Sequence, residues 1–296
     1  MTRTTAAGIH PLDHLVLPTQ SLDVARARLS SLGFVVAPNG IHPFGTENCC
    51  VFLADGTYLE PLAIGSELAA IDAVAAGNVF VARDRLYRDS RGDEGFSAVV
   101  LGTDSADADH ARYVEAGLSA GDTLSFSRAF TDTAGRSDTA SFKLAFAAAQ
   151  GQTDAFLFAC QRINAPDVDR SALQAHANGA IGIVEVVAIS DQPAEQNRLI
   201  SVAVGSPAAS EQGRTYHLPN AILSVVDPAS FIARFGVSAG SPTKLRFAAV
   251  VFAVRSAGAM SRLLAAGAIQ HDIAGTDIVV QPASGQGAAF VFREIQ

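Results

Sequence analysis

The pattern of apolar and polar positions repeats along the chain. Residues 15–34 read LVLPTQSLDVARARLSSLGF and residues 99–118 read VVLGTDSADADHARYVEAGL, and at an offset of 84 they share eight identities in twenty. Each copy opens on an apolar run of strand type. Ser21 or Ser105 follows at a helix N-cap position, with Asp23 or Asp107 in the first turn, where the helix dipole favours an acid. Val24, Ala27, Leu29 and Leu32 keep near-helical spacing, and Gly33 or Gly117 stands where a glycine ends a helix. Three strand-type runs come next: Phe34–Ala37, Cys49–Leu53 and Tyr58–Ala63 in the first copy, then Thr123–Phe130, Ser141–Ala147 and Ala155–Cys160 in the second. Each copy is therefore strand, helix, three strands.

The second half repeats this theme in weaker form. It has strands at Ile183–Ile189 and His217–Val226 around a helix over Pro193–Val204. It then has Leu245–Val254, a helix over Gly258–Ala266, and strands Asp277–Gln281 and Ala288–Glu294. The polar, proline-containing stretch between Asn164 and Asn178 reads as the join. The predicted fold class is α+β: tandem βαβββ modules forming paired, cupped mixed sheets. Residues 10–165 make a first domain (modules 10–70 and 95–165), residues 166–177 a linker, and residues 178–296 a second, divergent module pair.

Composition narrows the function. The 296 residues are 49% hydrophobic and 17% charged, enough apolar content for a substantial core. The net charge is −8 and the only lysines are Lys143 and Lys244, which argues against nucleic acid or an anionic membrane as partner. No apolar run is long enough to cross a bilayer, and Met1–His10 has no signal-peptide core. Cys49 and Cys50 are adjacent and point to opposite faces of a strand, so reduced thiols and a cytoplasmic setting are expected.

The first module carries a more specific signature. It runs Leu12-Asp13-His14-Leu15-Val16-Leu17, then Leu32-Gly33-Phe34, then His42-Pro43-Phe44-Gly45-Thr46-Glu47-Asn48, then Thr57-Tyr58-Leu59-Glu60. With Phe158-Ala159-Cys160-Gln161 and His176-Ala177-Asn178-Gly179-Ala180, this resembles the glyoxalase-like domain family of the vicinal oxygen chelate superfamily. The resemblance covers about two thirds of the chain; the last third follows by topology alone. It implies a cup that takes ligands for one divalent ion (Zn, Mn, Fe or Ni) from the first and last strands of each module. It implies no nucleotide cofactor. His14 and Glu60 occupy those places in the first module, and Gln161 or Cys160 would serve from the second, with the strand register left open. Under the offset of 84, His14 corresponds to Ala98, which cannot ligate a metal.

Taken by themselves, His14 reads more readily as a core histidine and Glu60 as a solvated carboxylate, and it is the resemblance that brings a site here level with that reading. His42, Thr46 and Asn48 are candidates for holding substrate oxygens, or they satisfy a tight turn. Tyr58 shares the strand face of Glu60 and lines the cup or packs the sheet. His176 and Asn178 complete the pocket if the linker crosses its mouth, and are surface turn residues otherwise. Glu185 stands roughly where His14 stands, so a degenerate second site with His217 is one reading and an edge-facing carboxylate the favoured one. Gly117-Leu118-Ser119-Ala120-Gly121 matches a nucleophile elbow, but a helix precedes it where a strand is required. Gly285-Gln286-Gly287 lacks the helix and lysine of a phosphate loop.

The expected function is an enzyme of lyase, isomerase or dioxygenase type acting on a small oxygen-rich molecule, with Glu60 as catalytic base. A binding protein that sequesters a small molecule without turnover is the alternative. A homodimer is compatible with the sequence but not required to build a cup.

Overall fold

A computed structural model describes residues 8–131, 137–165, 168–206, 214–241 and 243–295. The first half runs β1 (Leu12–Pro18), α1 (Leu22–Ser31), β2 (Gly40–Ile41), β3 (Thr46–Asn48), β4 (Val51–Phe52), β5 (Tyr58–Ile64), α2 (Glu67–Ala75), α3 (Val79–Arg91), β6 (Ala98–Gly102), α4 (Ala106–Glu115), β7 (Leu124–Thr131), β8 (Ser137–Ala147) and β9 (Phe156–Asn164). Ser21 and Ser105 cap α1 and α4 by accepting from Val24 N and Ala108 N, the caps their spacing predicts. The second half holds β10 (Ala180–Ile189), α5 (Asn197–Val204), β11 (Thr215–His217), β12 (Ile222–Val226), α6 (Pro228–Phe235), β13 (Arg246–Val254), α7 (Ala257–Ala266), β14 (Asp272–Ala274), β15 (Asp277–Val280) and β16 (Ala289–Glu294).

Strands β1–β9 form one mixed sheet with the path β2-β3-β5-β1-β6-β9-β8-β7, and β4 also pairs with β5. Strands β10–β16 form a second, with the path β11-β12-β10-β13-β16-β15-β14. Both centres have one plan: β1 and β6, or β10 and β13, run antiparallel, and each is flanked by a parallel last strand. In the first sheet the register exposes a local twofold axis. His14 pairs with Val100 and Val16 with Ala98. The offset of 84 exchanges these two pairs, so the sequence repeat and the strand register describe the same symmetry.

Alternation along the strands divides the sheet into two faces. On β1 after its bulge and on β5, β6, β8 and β9, even-numbered residues such as Val16, Leu62, Ala98, Val100, Leu144 and Phe158 face a cup covered by α2 and α3. Odd-numbered residues such as Leu15, Leu59, Val99, Ala145 and Leu157 face a core shared with the other half. That core includes α5 through Leu199 and Ile200, α7 through Met260 and Leu264, and Phe252, Phe290 and Phe292 of the second sheet.

Several elements differ from expectation. Phe34–Ala37 is not a strand. Phe34 leaves the sheet and enters the shared core, with ring centroids 5.3 Å from Phe252 and 6.1 Å from both Phe290 and Phe292. Helices α2 and α3 lie between the modules and α6 in the second half, all beyond the strand–helix–three-strand plan. His217–Val226 is a hairpin of β11 and β12 rather than one strand, because Pro219 and Asn220 turn the chain and Leu218 N donates to Ala221 O. Glu185 is not an edge carboxylate: β10 is central, and Glu185 is buried at 5% exposure. Arg234 of α6 grips it with two bonds of 2.7 and 2.6 Å, while His217 is exposed and does not join it. Phe231 and Phe235 pack the apolar cup of the second sheet. No helix among the described residues is long and apolar enough to cross a membrane.

Because Phe34 ties the two halves through one core, Phe34→Ala is expected to lower global stability by roughly 3–5 kcal/mol. Urea unfolding should show a single shifted transition; two transitions, with only one affected, would show that the halves unfold independently.

Candidate functional site

The even-numbered face of β1 and β5 brings His14, Tyr58 and Glu60 together, because His14 pairs with Tyr58 and Val16 with Glu60 in parallel register. The His14 and Tyr58 rings stack at 4.3 Å. Asp13 Oδ1 lies 2.6 Å from His14 Nδ1, and Glu60 Oε2 lies 3.2 Å from His14 Nε2. Asn48 of β3 donates to Glu60 Oε1 at 2.5 Å. Arg162 holds Asp13 from outside at 2.8 Å. His14 and Glu60 are 4% and 6% exposed, so water screens these charges weakly.

The segment His42–Asn48 builds the next wall. Gly45 has φ of +87°, and a Cβ there would stand 2.6 Å from Ala70 N and Ser66 O, so the turn presses against the start of α2. His42 Nδ1 lies 2.8 Å from Thr46 Oγ1, and Asn48 Nδ2 lies 3.4 Å from His42 Nε2. Phe44 stacks on His42 with centroids 5.0 Å apart. These polar groups thus satisfy one another and fix the Glu60 carboxylate.

A half-open cavity of about 40 Å³ reaches this cluster, room for about three or four waters at roughly 10–15 Å³ each, and about 410 Å³ of space lies within it once its open mouth is counted. His14, His42, Tyr58, Glu60 and Cys160 face it, together with Phe44, Phe80, Phe126, Phe142, Phe158, Leu144 and Arg128. The wall is more aromatic than the polar motif foretells. Asp13, Arg128 and the phenylalanines escaped sequence reasoning. The parity of β7, with Leu124, Phe126 and Arg128 on one face, is the signal that could have placed Arg128 beside the cup.

Charge states follow from these neighbours. Burial opposes charging His14, but hydrogen bonds and attraction from Asp13 and Glu60 overcome it and raise its pKa above the ordinary value of 6.5. Burial raises Glu60, yet the His14 hydrogen bond and charge, with help from His42 and Asn48, bring it down to about 2. Burial holds His42 down to about 4, leaving it neutral. The shifts of His14, Glu60 and Asp13 all favour an imidazolium held between two carboxylates. The Cys160 thiol is pushed well above its usual pKa by burial.

Five expected residues do not line the cavity: Thr46 and Asn48 stand behind it, bonded to His42 and Glu60, and Gln161, His176 and Asn178 lie farther off. Parity turns Gln161 to the other face of β9, where it accepts from Ala106 N at 3.1 Å and donates to Asp104 O at 2.8 Å. Cys160 takes the inward place. His176 accepts from Val35 N and donates to Phe52 O, and Asn178 donates to Leu32 O and accepts from Ala180 N. Both are engaged by backbone groups on and around the segment that left the sheet, and neither lines the cavity. Ser119 exchanges hydrogen bonds with Gly121 and lies in a helix-to-strand turn, with no elbow.

The residues present do not fit the four-donor metal set. The local twofold carries His14 to Ala98 and, through the pairings Val16–Glu60 and Val100–Phe158, carries Glu60 to Phe158. The second module therefore contributes a methyl and a phenyl where donors are required. Among the described residues no three His, Cys, Asp or Glu side chains converge as a metal site.

The glyoxalase-like domain model matches residues 12–202. No curated protein sequence matches the chain. A hypothetical protein from Staphylococcus aureus is similar in structure, at TM-score 0.63 and 12% identity over 96% of this chain and 99% of that one. A variant of 4-hydroxymandelate synthase from Streptomyces coelicolor matches at 0.58 and 12%, over 97% and 92% of the two chains. The Mn(II)-bound glyoxalase from Novosphingobium aromaticivorans matches at 0.51 and 10%, over 97% and 83%. At these identities the likeness is one of fold.

Two outcomes follow from the charges and the donor count. Stability from Glu60 is present above its unfolded pKa near 4.5 and lost as pH falls toward 2. Stability from His14 is complete below 6.5 and lost as pH rises through its raised folded value. The cluster therefore contributes most between these limits, and Glu60→Gln should lower stability there by roughly 3 kcal/mol and flatten the acid limb of melting temperature against pH. Protein dialysed against Mn²⁺, Zn²⁺, Fe²⁺ or Ni²⁺ and desalted should retain far less than one equivalent by elemental analysis. Stoichiometric metal that is lost in His14→Ala would overturn the donor count.

Proposed function

The chain belongs to the glyoxalase-like domain family, and on that premise we propose that it is a small-molecule enzyme of isomerase or lyase type. Its acid–base pair is His14 and Glu60, acting on a carbonyl compound with an acidic neighbouring C–H. The observation that carries this reading is the buried chain Asp13–His14–Glu60 ending at the cavity.

The pair suits a proton shift without a metal. Glu60 Oε2 takes the proton from the substrate carbon, and the C–H electrons form the C=C bond. The carbonyl π electrons move to oxygen, which takes the Nε2 proton of His14. The products are an enol, neutral His14 and protonated Glu60, so charge is conserved. Glu60 is a weak base while His14⁺ faces it. As His14 gives up its proton, that attraction disappears and the carboxylate gains basicity as it needs it. In an isomerisation of a 2-hydroxy carbonyl compound, Glu60 returns its proton to the former carbonyl carbon while the other hydroxyl of the enediol gives its proton to His14 and becomes the new C=O. In an elimination, the enol O–H returns its proton to His14, the C=O re-forms, the C=C shifts, and the β-substituent leaves with its bonding electrons and takes the Glu60 proton. Asp13 keeps His14 oriented through Nδ1, and Asn48 holds the other oxygen of Glu60. Thr46 fixes His42, while Tyr58 and His42 flank the reacting atoms.

Retention without turnover is the second reading, favoured by the low pKa of Glu60, which suits a fixed ion pair as well as a base. Solvent exchange separates the two. In D₂O, the enzyme should wash deuterium into one member of a panel of small 2-oxo and 2-hydroxy carbonyl compounds, followed by proton NMR. Glu60→Gln should slow exchange by about 100-fold or more. Binding of a panel member without any exchange would leave the sequestering protein as the function.

A further inference from the structure

Arg128 extends from β7 on the same face as Phe126 and lines the cavity with His14 and Glu60. Among the described residues its guanidinium has no carboxylate or hydrogen-bond partner; it lies 5.9 Å from the Phe142 ring centroid. It is half-buried, against the backbone of Gly40. A Cβ on Gly40 would collide with Arg128 Nη1 and come within 2.6 Å of Asn48 Oδ1, so this glycine makes room for the arginine next to the amide that holds Glu60.

Two more guanidinia stand nearby. Arg162 is neutralised by Asp13. Arg170 lies over the Phe52 ring at 4.8 Å and has no carboxylate partner among the described residues. Burial lowers its pKa first, and the charges of Arg162 and Arg128 add to that, which places all three cations within one field. Glu60 does not offset them, since its two oxygens are taken up by His14 Nε2 at 3.2 Å and by Asn48. A chain of net charge −8 therefore keeps uncompensated positive charge at the mouth of one aromatic cavity.

We propose that the cup selects small monoanions, a carboxylate on a flat apolar body, and that Arg128 is the specificity-determining residue that pairs with the carboxylate. This rests on the preceding reading of the cavity as the substrate site and adds the class of substrate. A guanidinium matches a carboxylate with two parallel N–H donors. Phe126 and Phe142, stacked at 5.2 Å, and Phe44, 5.2 Å from Phe126, offer ring faces and edges to the apolar body. A free inorganic oxyanion would leave those walls unused. Arg170 raises the local concentration of anions at the mouth without touching the bound carboxylate.

The test is calorimetric binding of benzoate and phenylacetate, of benzamide and phenylacetamide, and of inorganic phosphate to the full chain. The carboxylates should bind at least 10-fold more tightly than their amides and than phosphate, with affinity falling as salt rises. Arg128→Gln should abolish that preference while melting as the wild type does, and Arg128→Lys should restore part of it. Amides that bind as well as the acids, a preference that survives Arg128→Gln, phosphate that binds as tightly as benzoate, or no binding by either carboxylate would each overturn the proposal. Any of these together with deuterium exchange lost in Glu60→Gln would leave the acid–base reading standing. Carboxylate selectivity without exchange would remove that reading alone.

Discussion

The alternation of side chains across the first sheet is the constraint on which the molecule depends. On its central strands one parity must face a core shared with the second half, and the other parity must face the cup. Leu15, Leu59, Val99 and Leu157 commit the odd positions to the shared core. Once they do, His14, Tyr58, Glu60, Phe158 and Cys160 have no choice but to gather on the opposite face. Burial of the odd face thus holds two ionisable side chains in a place where each by itself would be costly, and Asp13, Asn48 and Arg162 supply the partners that make it tolerable.

The same symmetry shows how the family plan has been altered. A twofold axis between β1 and β6 would repeat the His14–Glu60 pair as Ala98 and Phe158. The cup is therefore polar on one side and aromatic on the other. A four-donor chelate needs both sides alike; a pocket that holds an ion pair against one end of an apolar ligand needs them unlike. In the second sheet the corresponding cup has been filled. Phe231 and Phe235 of α6 occupy its apolar space and Arg234 neutralises Glu185. One open cup and one plugged cup leave the molecule with a single candidate centre of this type among the described residues.

Much of the fold was legible from local chemistry. The offset of 84, the caps at Ser21 and Ser105 and the apolar runs of β1, β5, β6, β9, β10 and β13 follow from short-range periodicity. Elements whose reason is tertiary were not legible. Phe34–Ala37 has strand composition, but burying Phe34 among three phenylalanines of the other half outweighs a place in the sheet. Helices α2, α3 and α6 interrupt the repeat, and the first two exist to cover the cup and the third to plug its counterpart.

The sequence by itself determined the module plan and the family, because apolar periodicity and a short motif are local, and the resemblance to that family put His14 and Glu60 on the first and last strands of one module. The tertiary structure decided which of Cys160 and Gln161 faces inward, because that depends on strand register. It also placed His176 and Asn178 against the loop after α1, since they satisfy a backbone that the sheet no longer pairs. The raised pKa of His14 was decided there too: it arises from Asp13 and Glu60 meeting one ring in a buried, weakly screened place, which no single segment encodes.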